Sequence, residues 1–129
     1  MKNIIEIICH DFASPDGRNL QERCLESMVL IERFRGGGTV DQIVPDTADA
    51  DISPDAITHL AEALATFIAT FPHHPDVGSA TWALGKLREP RFIPLFERVI
   101  STDSAYNEFA RHQAIVSLED LNHESTGNA

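Results

Sequence analysis

The chain has 129 residues, of which 43% are hydrophobic and 23% are charged, so its size and composition fit one folded domain and exclude a disordered chain. Its 20 acidic residues outnumber its 10 basic residues, and the formal net charge is -10 at pH 7. A surface of this charge repels nucleic-acid phosphates and attracts basic proteins, so we expect a monomer whose partner is another protein with a basic surface, and not nucleic acid.

The first 35 residues contain two segments in which apolar residues recur every three or four positions, the spacing of an amphipathic helix. The first segment has this spacing at Ile4, Ile5, Ile8, Cys9 and Phe12, and the second at Leu20, Cys24, Met28, Ile31 and Phe34. A turn at Pro15-Asp16-Gly17 separates them, and the glycines at 36–38 end the second helix. A short β-strand over IIEIIC is the alternative for the first segment.

The N-terminal segment also bears on location. Its apolar run is short and is interrupted by Glu6, so we expect neither a signal peptide nor a membrane-spanning helix. Cys9 and Cys24 both occupy apolar positions of helical segments, which indicates buried free thiols and not a disulfide framework. These features predict a cytoplasmic protein without a membrane partner, and no residue pattern points to a cofactor.

An aspartate-rich loop follows the second helix. Helical spacing is lost between residues 36 and 51, and aspartates accumulate there: Asp41, Asp46, Asp49 and Asp51. Helix three is predicted to begin at Ser53-Pro54-Asp55, which combines a capping side chain, a proline in the first turn and a carboxylate near the positive end of the helix dipole. We expect this helix to run to about Phe71.

Three further helices are expected after a proline-rich break. Asp76 is predicted to cap helix four, which ends at Glu89-Pro90, and helix five tolerates Pro94 because this residue lies in its first turn. The polar segment 123–129 is expected to be a frayed tail after a single domain of residues 1–122. The apolar residues of the three helices are Val77, Ala80, Leu84 and Leu87; Phe92, Leu95, Phe96, Val99 and Ile100; and Phe109, Ala110, Ala114, Leu118 and Leu121.

The apolar pattern of these helices repeats. At an offset of 34 residues, Ala80, Leu84 and Leu87 are matched by Ala114, Leu118 and Leu121. At an offset of 35, Ile57, Leu60, Ala61 and Leu64 are matched by Phe92, Leu95, Phe96 and Val99. Both members of a helix pair therefore recur together, which indicates stacked helix-pair repeats. The N-terminal pair fits more loosely, and its extra length falls in the aspartate-rich loop.

The segment SATWALGKLREPRFIPLFERVI resembles the HEAT and HEAT-like families of α-helical repeats. It has their small residue, leucine-glycine, acidic-proline turn and apolar helix with an internal proline, and the likeness is clearest from about Asp76 to Leu121. Val77 stands where these families often carry an arginine, although Arg111 is suitably placed in the next pair. The resemblance implies an all-α fold, a short α-solenoid of about six helices in three antiparallel pairs, and a protein-binding role without catalytic residues.

Six residues are candidates for contact with a basic partner. Acidic side chains of the loop and of helix three would supply complementary charge, and Trp82 lies opposite the apolar stripe of its helix, where an exposed tryptophan would be a binding hot spot. The predicted site is Asp46, Asp49, Asp51, Asp55, Glu62 and Trp82. The alternatives are a solvated acidic loop and a tryptophan packed inside the stack, since Val116 at the equivalent position is also apolar.

Signs of metal chemistry are weak. An EF-hand that started at Asp49 would place Pro54 at its glycine position and Leu60 at its glutamate position, so calcium is not expected. The pair His10-Asp11 is typical of metal-dependent phosphohydrolases, but no second such pair and no HExxH spacing accompany it. Further ligands would have to come from His59, His73 and His74.

The leading interpretation is a non-catalytic, acidic protein-binding module. In a narrower form it is an immunity protein or inhibitor that blocks a basic toxin or enzyme, because such a role needs complementary carboxylates and no chemistry. The alternatives are a helical metal hydrolase that uses His10 and Asp11, and a scaffold or adaptor subunit with a neutral partner. Bound metal that is lost in His10→Ala would favour the hydrolase.

Overall fold

The computed structural model describes residues 4–36, 52–101 and 105–127, with the side chains of the last range described up to residue 122. All regular secondary structure in these ranges is helical. The helices are α1 (Ile4–Ala13), α2 (Gln21–Arg35), α3 (Pro54–Thr70), α4 (Val77–Gly85), α5 (Ile93–Ser101) and α6 (Glu108–Gly127), with a 3-10 turn at Pro90–Phe92 before α5. The all-α prediction is confirmed, and the strand alternative for IIEIIC is wrong.

Several helix ends follow from residues that the sequence singles out. Ser53 Oγ accepts a hydrogen bond from the Ala56 N–H at 3.3 Å, and Pro54 occupies the first turn of α3. Gly36 follows the last residue of α2 with a φ of 86°, a left-handed conformation that glycine adopts at no steric cost. Pro94 is the second residue of α5, where its missing N–H is not needed.

Helix α6 continues to Gly127 and so extends past residue 122, where the sequence places the end of the domain. Fraying of the segment 123–129 stays a prediction. No helix in the described ranges is both long enough and apolar enough to cross a membrane.

Helix α4 lies at the centre of the packing. It contacts α2, α3 and α6, while α1 packs on α3 and α5 packs on α6. Gly78 of α4 adjoins Phe109 and Ala110, and Gly85 adjoins Ser117, so α4 and α6 run in the same direction. A Cβ atom on either glycine would overlap a side chain of α6. The absence of side chains at these two positions therefore allows the close approach of the two helices.

One apolar core connects all six helices. The rings of Phe12 and Phe67 meet in it with their centroids 5.0 Å apart, and the buried Tyr106 hydroxyl donates a hydrogen bond to the Ile68 carbonyl at 3.0 Å. Burial raises the pKa of the Tyr106 phenol, because the charged form would lose its hydration. Phe109 was predicted to lie on the apolar stripe of its helix, but it is 49% exposed because it lies over the edge of α4 at Gly78.

Candidate functional site

Helices α1 and α3 carry carboxylates and neither lysine nor arginine. Glu6, Asp55 and Glu62 are exposed, whereas Asp11 is partly buried and pairs with arginines from outside the two helices. Because α1 and α3 pack against each other, their exposed carboxylates create a local negative potential. We call the exposed surface of α1 and α3 that bears Glu6, Asp55 and Glu62 the acidic face.

A groove of about 300 Å³ lies between α1 and α3 within the acidic face. It is lined by Cys9, Phe12, Ala13, His59, Glu62, Ala63 and Thr66. Most of this lining is apolar, and the short side chains of the two alanines leave the space open. The volume is at the small end of the range of ligand pockets, so the groove, called the α1–α3 groove below, has room for a side chain or a small molecule.

The exposed acidic residues flank the α1–α3 groove. Glu62 is part of its wall. Glu6 precedes Cys9 by three positions and Asp55 precedes Glu62 by seven, and both spacings place side chains on the same helix stripe. Carboxylates therefore border an apolar surface, which is the combination that recognises cationic amphipathic segments.

The thiol of Cys9 reports on the electrostatics of the α1–α3 groove. Its pKa rises from 9.0 to about 11, first because burial disfavours the thiolate and second because the negative charge of Glu6 opposes it. Burial, followed by the charge of Asp76, likewise raises the pKa of the Cys24 thiol. Both thiols are therefore protonated at neutral pH, and neither is activated as a nucleophile.

A second groove, of about 330 Å³, lies between α2 and α4. It is lined by Gln21, Glu22, Cys24, Leu25, Ser79 and Trp82. Trp82 is half-buried and packs partly against the core, and Lys86 Nζ lies 5.5 Å from the centroid of its ring, a cation–π distance. Trp82 therefore packs inside the fold on one side and borders an open groove on the other.

Of the six residues predicted to bind a partner, the three that the structure describes lie in two places. Asp46, Asp49 and Asp51 lie outside the described residues. Asp55 and Glu62 are exposed on α3, and Trp82 borders the groove between α2 and α4, which shares no lining residue with the α1–α3 groove. The structure adds Glu6 and the apolar groove itself. The absence of lysine and arginine from the first and third helical segments was a signal for the acidic character of both helices, but not for the groove between them.

A partly buried ion-pair network joins α1 to α2. The Arg23 guanidinium donates through Nε to Asp11 Oδ2 at 2.8 Å and through Nη1 to Glu26 Oε1 at 2.6 Å, and Glu26 is fully buried. Arg18 Nη1 lies 3.4 Å from Asp11 Oδ1. These contacts raise the pKa of Arg23, with the hydrogen bond to Asp11 as the largest cause. Asp11 is therefore neutralised inside the fold by two arginines.

Asp76 occupies the N-cap position of α4, as predicted, but the prediction that its side chain caps the helix is wrong. Its carboxylate makes no capping hydrogen bond to α4 and instead reaches the start of α2, where Oδ2 accepts from the Leu20 N–H at 2.7 Å and Oδ1 accepts from Gln21 Nε2 at 2.6 Å. The physical reason is that the Leu20 N–H is fully buried and has to find an acceptor. Asp76 therefore fastens the start of α2 to the start of α4.

His74 completes this junction. Its Nδ1 accepts a hydrogen bond from the Asp76 N–H at 3.0 Å, and its Nε2 lies 3.2 Å from the Pro15 carbonyl oxygen. Because Nδ1 accepts, the ring proton resides on Nε2, which donates to Pro15. The imidazole therefore links the turn before α2 to the turn before α4 and has no free nitrogen for a metal.

The histidines named as metal ligands lie in different surroundings. His10 is exposed next to the arginine-bound Asp11, His59 lines the α1–α3 groove, and His74 is bound at the α2–α4 junction. Among the residues that the structure describes, no group of three or more His, Cys, Asp or Glu side chains is placed to hold a metal ion. A carboxylate that already pairs with two arginines is also a poor ligand for a cation.

Basic side chains gather at the C-terminal end of α2. Arg35, Lys86 and Arg88 line a pocket of about 210 Å³ together with Glu32, and Arg35 Nη1 donates to the Lys86 carbonyl oxygen at 3.3 Å. Cations in this place are stabilised by the negative end of the helix dipole. The helix dipole therefore explains why basic side chains gather at this pocket. It does not explain the apolar lining of the α1–α3 groove.

No protein-family model, curated protein or solved structure was found that matches this sequence.

Proposed function

We propose that this chain is a non-catalytic module that binds a basic partner protein, and that its scaffold is a short α-solenoid of three antiparallel helix pairs similar to HEAT repeats. The packing supports the scaffold. Helix α4 lies between α2 and α6 and runs in the same direction as α6, as stacked repeats require. Two of the three residue pairs of this repeat also match in burial, since Ala80 and Leu87 and their counterparts Ala114 and Leu121 are all buried, whereas Leu84 is buried and Leu118 only partly so.

The observation that carries the proposal is the acidic face. Two neighbouring helices present carboxylates, carry no lysine or arginine, and enclose an apolar groove. An acidic surface of this kind increases the rate of encounter with a basic protein and disfavours acidic partners. The groove then supplies apolar contact area, which favours a protein partner over a carbohydrate or a free anion as the ligand.

The chemistry of the titratable groups supports a binding role over a catalytic one. The two thiols hold their protons at neutral pH, and Asp11 of the proposed metal pair is held by Arg23 and Arg18. In its narrower form, the proposal is an inhibitor or immunity protein that covers the basic surface of a toxin or enzyme. The rigid placement of carboxylates on helices supports this form, because rigid complementary charge binds with little ordering cost.

A peptide-library selection tests the proposal. A random peptide library displayed on phage is selected against the immobilised chain, and enriched peptides are measured at low and high salt. We expect enriched peptides to have a positive net charge and to bind more weakly as salt rises. Enrichment of acidic or neutral peptides, or no enrichment, would contradict the proposal.

Two charge variants locate the acidic contribution. Asp55→Asn with Glu62→Gln removes two carboxylates of the acidic face, and Asp46→Asn with Asp49→Asn and Asp51→Asn removes three carboxylates of the aspartate-rich segment between residues 41 and 51. If the acidic face carries the interaction, the first variant loses the preference for basic peptides. A loss in the second variant alone would assign the site to the aspartate-rich segment.

A further inference from the structure

We infer that the α1–α3 groove takes an apolar side chain from a basic amphipathic helix of the partner, with the lysines or arginines of that helix paired to the carboxylates of the acidic face. This inference rests on the proposed function and adds the place and the kind of segment that is bound. It concerns Glu6, Asp55 and Glu62 as the charged rim, and the apolar lining of the groove as the anchor site.

The shape of the groove favours a single large apolar anchor. Ala13 and Ala63 stand on facing helices, and their short side chains leave a depression beside the ring of Phe12. Phe12 is almost fully buried, and its ring packs against that of Phe67 with the centroids 5.0 Å apart, so the apolar side of the groove is continuous with the core. A volume of about 300 Å³ is enough for a leucine, isoleucine or phenylalanine side chain and small for most cofactors.

The charge of the rim favours a cationic occupant. Among the residues that the structure describes, every formally charged group that lines the groove or flanks it on the same helix stripes is a carboxylate. An anionic lipid head group or an acidic peptide would be repelled there. The groove at Trp82 lacks this selectivity, because Glu22 and Lys86 place opposite charges beside it.

The helical form of the occupant follows from the geometry of the surface. Apolar residues at a spacing of three and four place one stripe towards the groove, while lysines on the two flanks of that stripe reach the carboxylates on α1 and on α3. A helix with apolar and basic residues mixed around its circumference could place an apolar side chain in the groove or pair its basic side chains with the carboxylates of the rim, but it could not do both at once.

The test uses three labelled synthetic peptides of about 18 residues, long enough for several helical turns. The first contains leucines on one helix face and lysines elsewhere. The second has the same composition with the leucines scattered, and the third replaces the lysines of the first by glutamates. By fluorescence anisotropy, we expect the first peptide to bind at least about tenfold more tightly than the second, and the third not to bind.

Cys9 provides a direct footprint of the groove. Cys9 lines the groove and is partly exposed. Cys24 is 1% exposed, so it should stay unmodified as long as the chain is folded, and its alkylation would report unfolding. With the first peptide at about ten times its Kd, alkylation of Cys9 by iodoacetamide should slow about tenfold, because only the unoccupied fraction reacts. Mass spectrometry of the digested chain measures both thiols in one sample.

A blocking variant gives a second measurement. Ala63→Arg places a large cation in the groove and should weaken binding of the first peptide at least about tenfold. Glu62→Gln should weaken it less and reduce its salt dependence. Circular dichroism checks that both variants are folded, and the Cys9 footprint needs no substitution and so decides the matter if Ala63→Arg does not fold.

The outcomes separate the two levels of the proposal. If the first peptide binds but leaves the alkylation of Cys9 unchanged, the groove is not the site, and binding of a basic partner still stands. If none of the peptides binds while the phage selection yields basic peptides, the inference is again overturned alone. If the selection also fails, both the site and the proposed function are overturned.

Discussion

The contact between α1 and α2 and the contact between α4 and α6 are built from opposite chemistry. Between α1 and α2, the fully buried Glu26 and the partly buried Asp11 share one guanidinium, that of Arg23. Between α4 and α6, glycines allow the helices to touch, and a Cβ at Gly85 would overlap Ser117. We therefore expect the α1–α2 contact to be destabilised by removal of a charged side chain, and the α4–α6 contact to be destabilised by addition of a methyl group.

The largest expected effect is at the buried charges. Arg23→Ala removes the guanidinium from the fully buried Glu26 carboxylate, whereas Asp11 keeps Arg18. Loss of one partner of a buried ion pair costs about 3–5 kcal/mol of stability. Arg18→Ala is the matched control, because Arg18 is 44% exposed and an exposed pair contributes about 1 kcal/mol or less. Urea unfolding measures the free energy of unfolding of both variants. Equal losses of stability would show that the two ion pairs do not differ in the way their burial predicts.

A smaller effect is expected at the α2–α4 junction. Asp76→Ala leaves the buried Leu20 N–H without its acceptor, which should cost about 2 kcal/mol. Asp76→Asn keeps one side-chain oxygen and should cost less. For comparison, Asp55→Ala removes an exposed carboxylate from the first turn of α3, and a loss there as large as in Asp76→Ala would contradict the junction.

The smallest effect is expected where α4 touches α6. Alanine is normally the better helix former, but in Gly85→Ala the added methyl group meets Ser117, and the net result should be a loss of about 1 kcal/mol. Ser117→Ala in the same chain removes the hydroxyl group and should recover part of the loss in thermal unfolding. A gain in stability for Gly85→Ala alone would show that the helices are not in close contact there.

Apolar spacing alone was enough to predict the helices, because each buries a stripe that recurs with the helical period. Ser53 capped its helix as expected since its partner, the Ala56 N–H, is only three residues away. Local signals of this kind depend on neighbours in the sequence, so a single sequence contains them.

The polar contacts of the fold were not predictable in this way. Asp76 bonds to Leu20 and Gln21, more than 50 residues earlier, and nothing periodic marks such a pairing. Glu26 lies three residues after Arg23 in α2, a spacing at which side chains can pair, but its complete burial and the link from Arg23 to Asp11 depend on how α1 packs on α2. The acidic side chains of α3 were predicted as candidates, whereas the α1–α3 groove needed the relative placement of two helices that are distant in sequence.

The composition of α4 bears on how the whole molecule folds. This helix has nine residues, two of them the glycines at its contact with α6, and an isolated peptide of that length and composition would remain a coil. Its helical conformation is therefore supplied by α2, α3 and α6. Since the central element forms only when its neighbours are docked, we expect a single cooperative folding transition and no stepwise peeling of helix pairs from the ends.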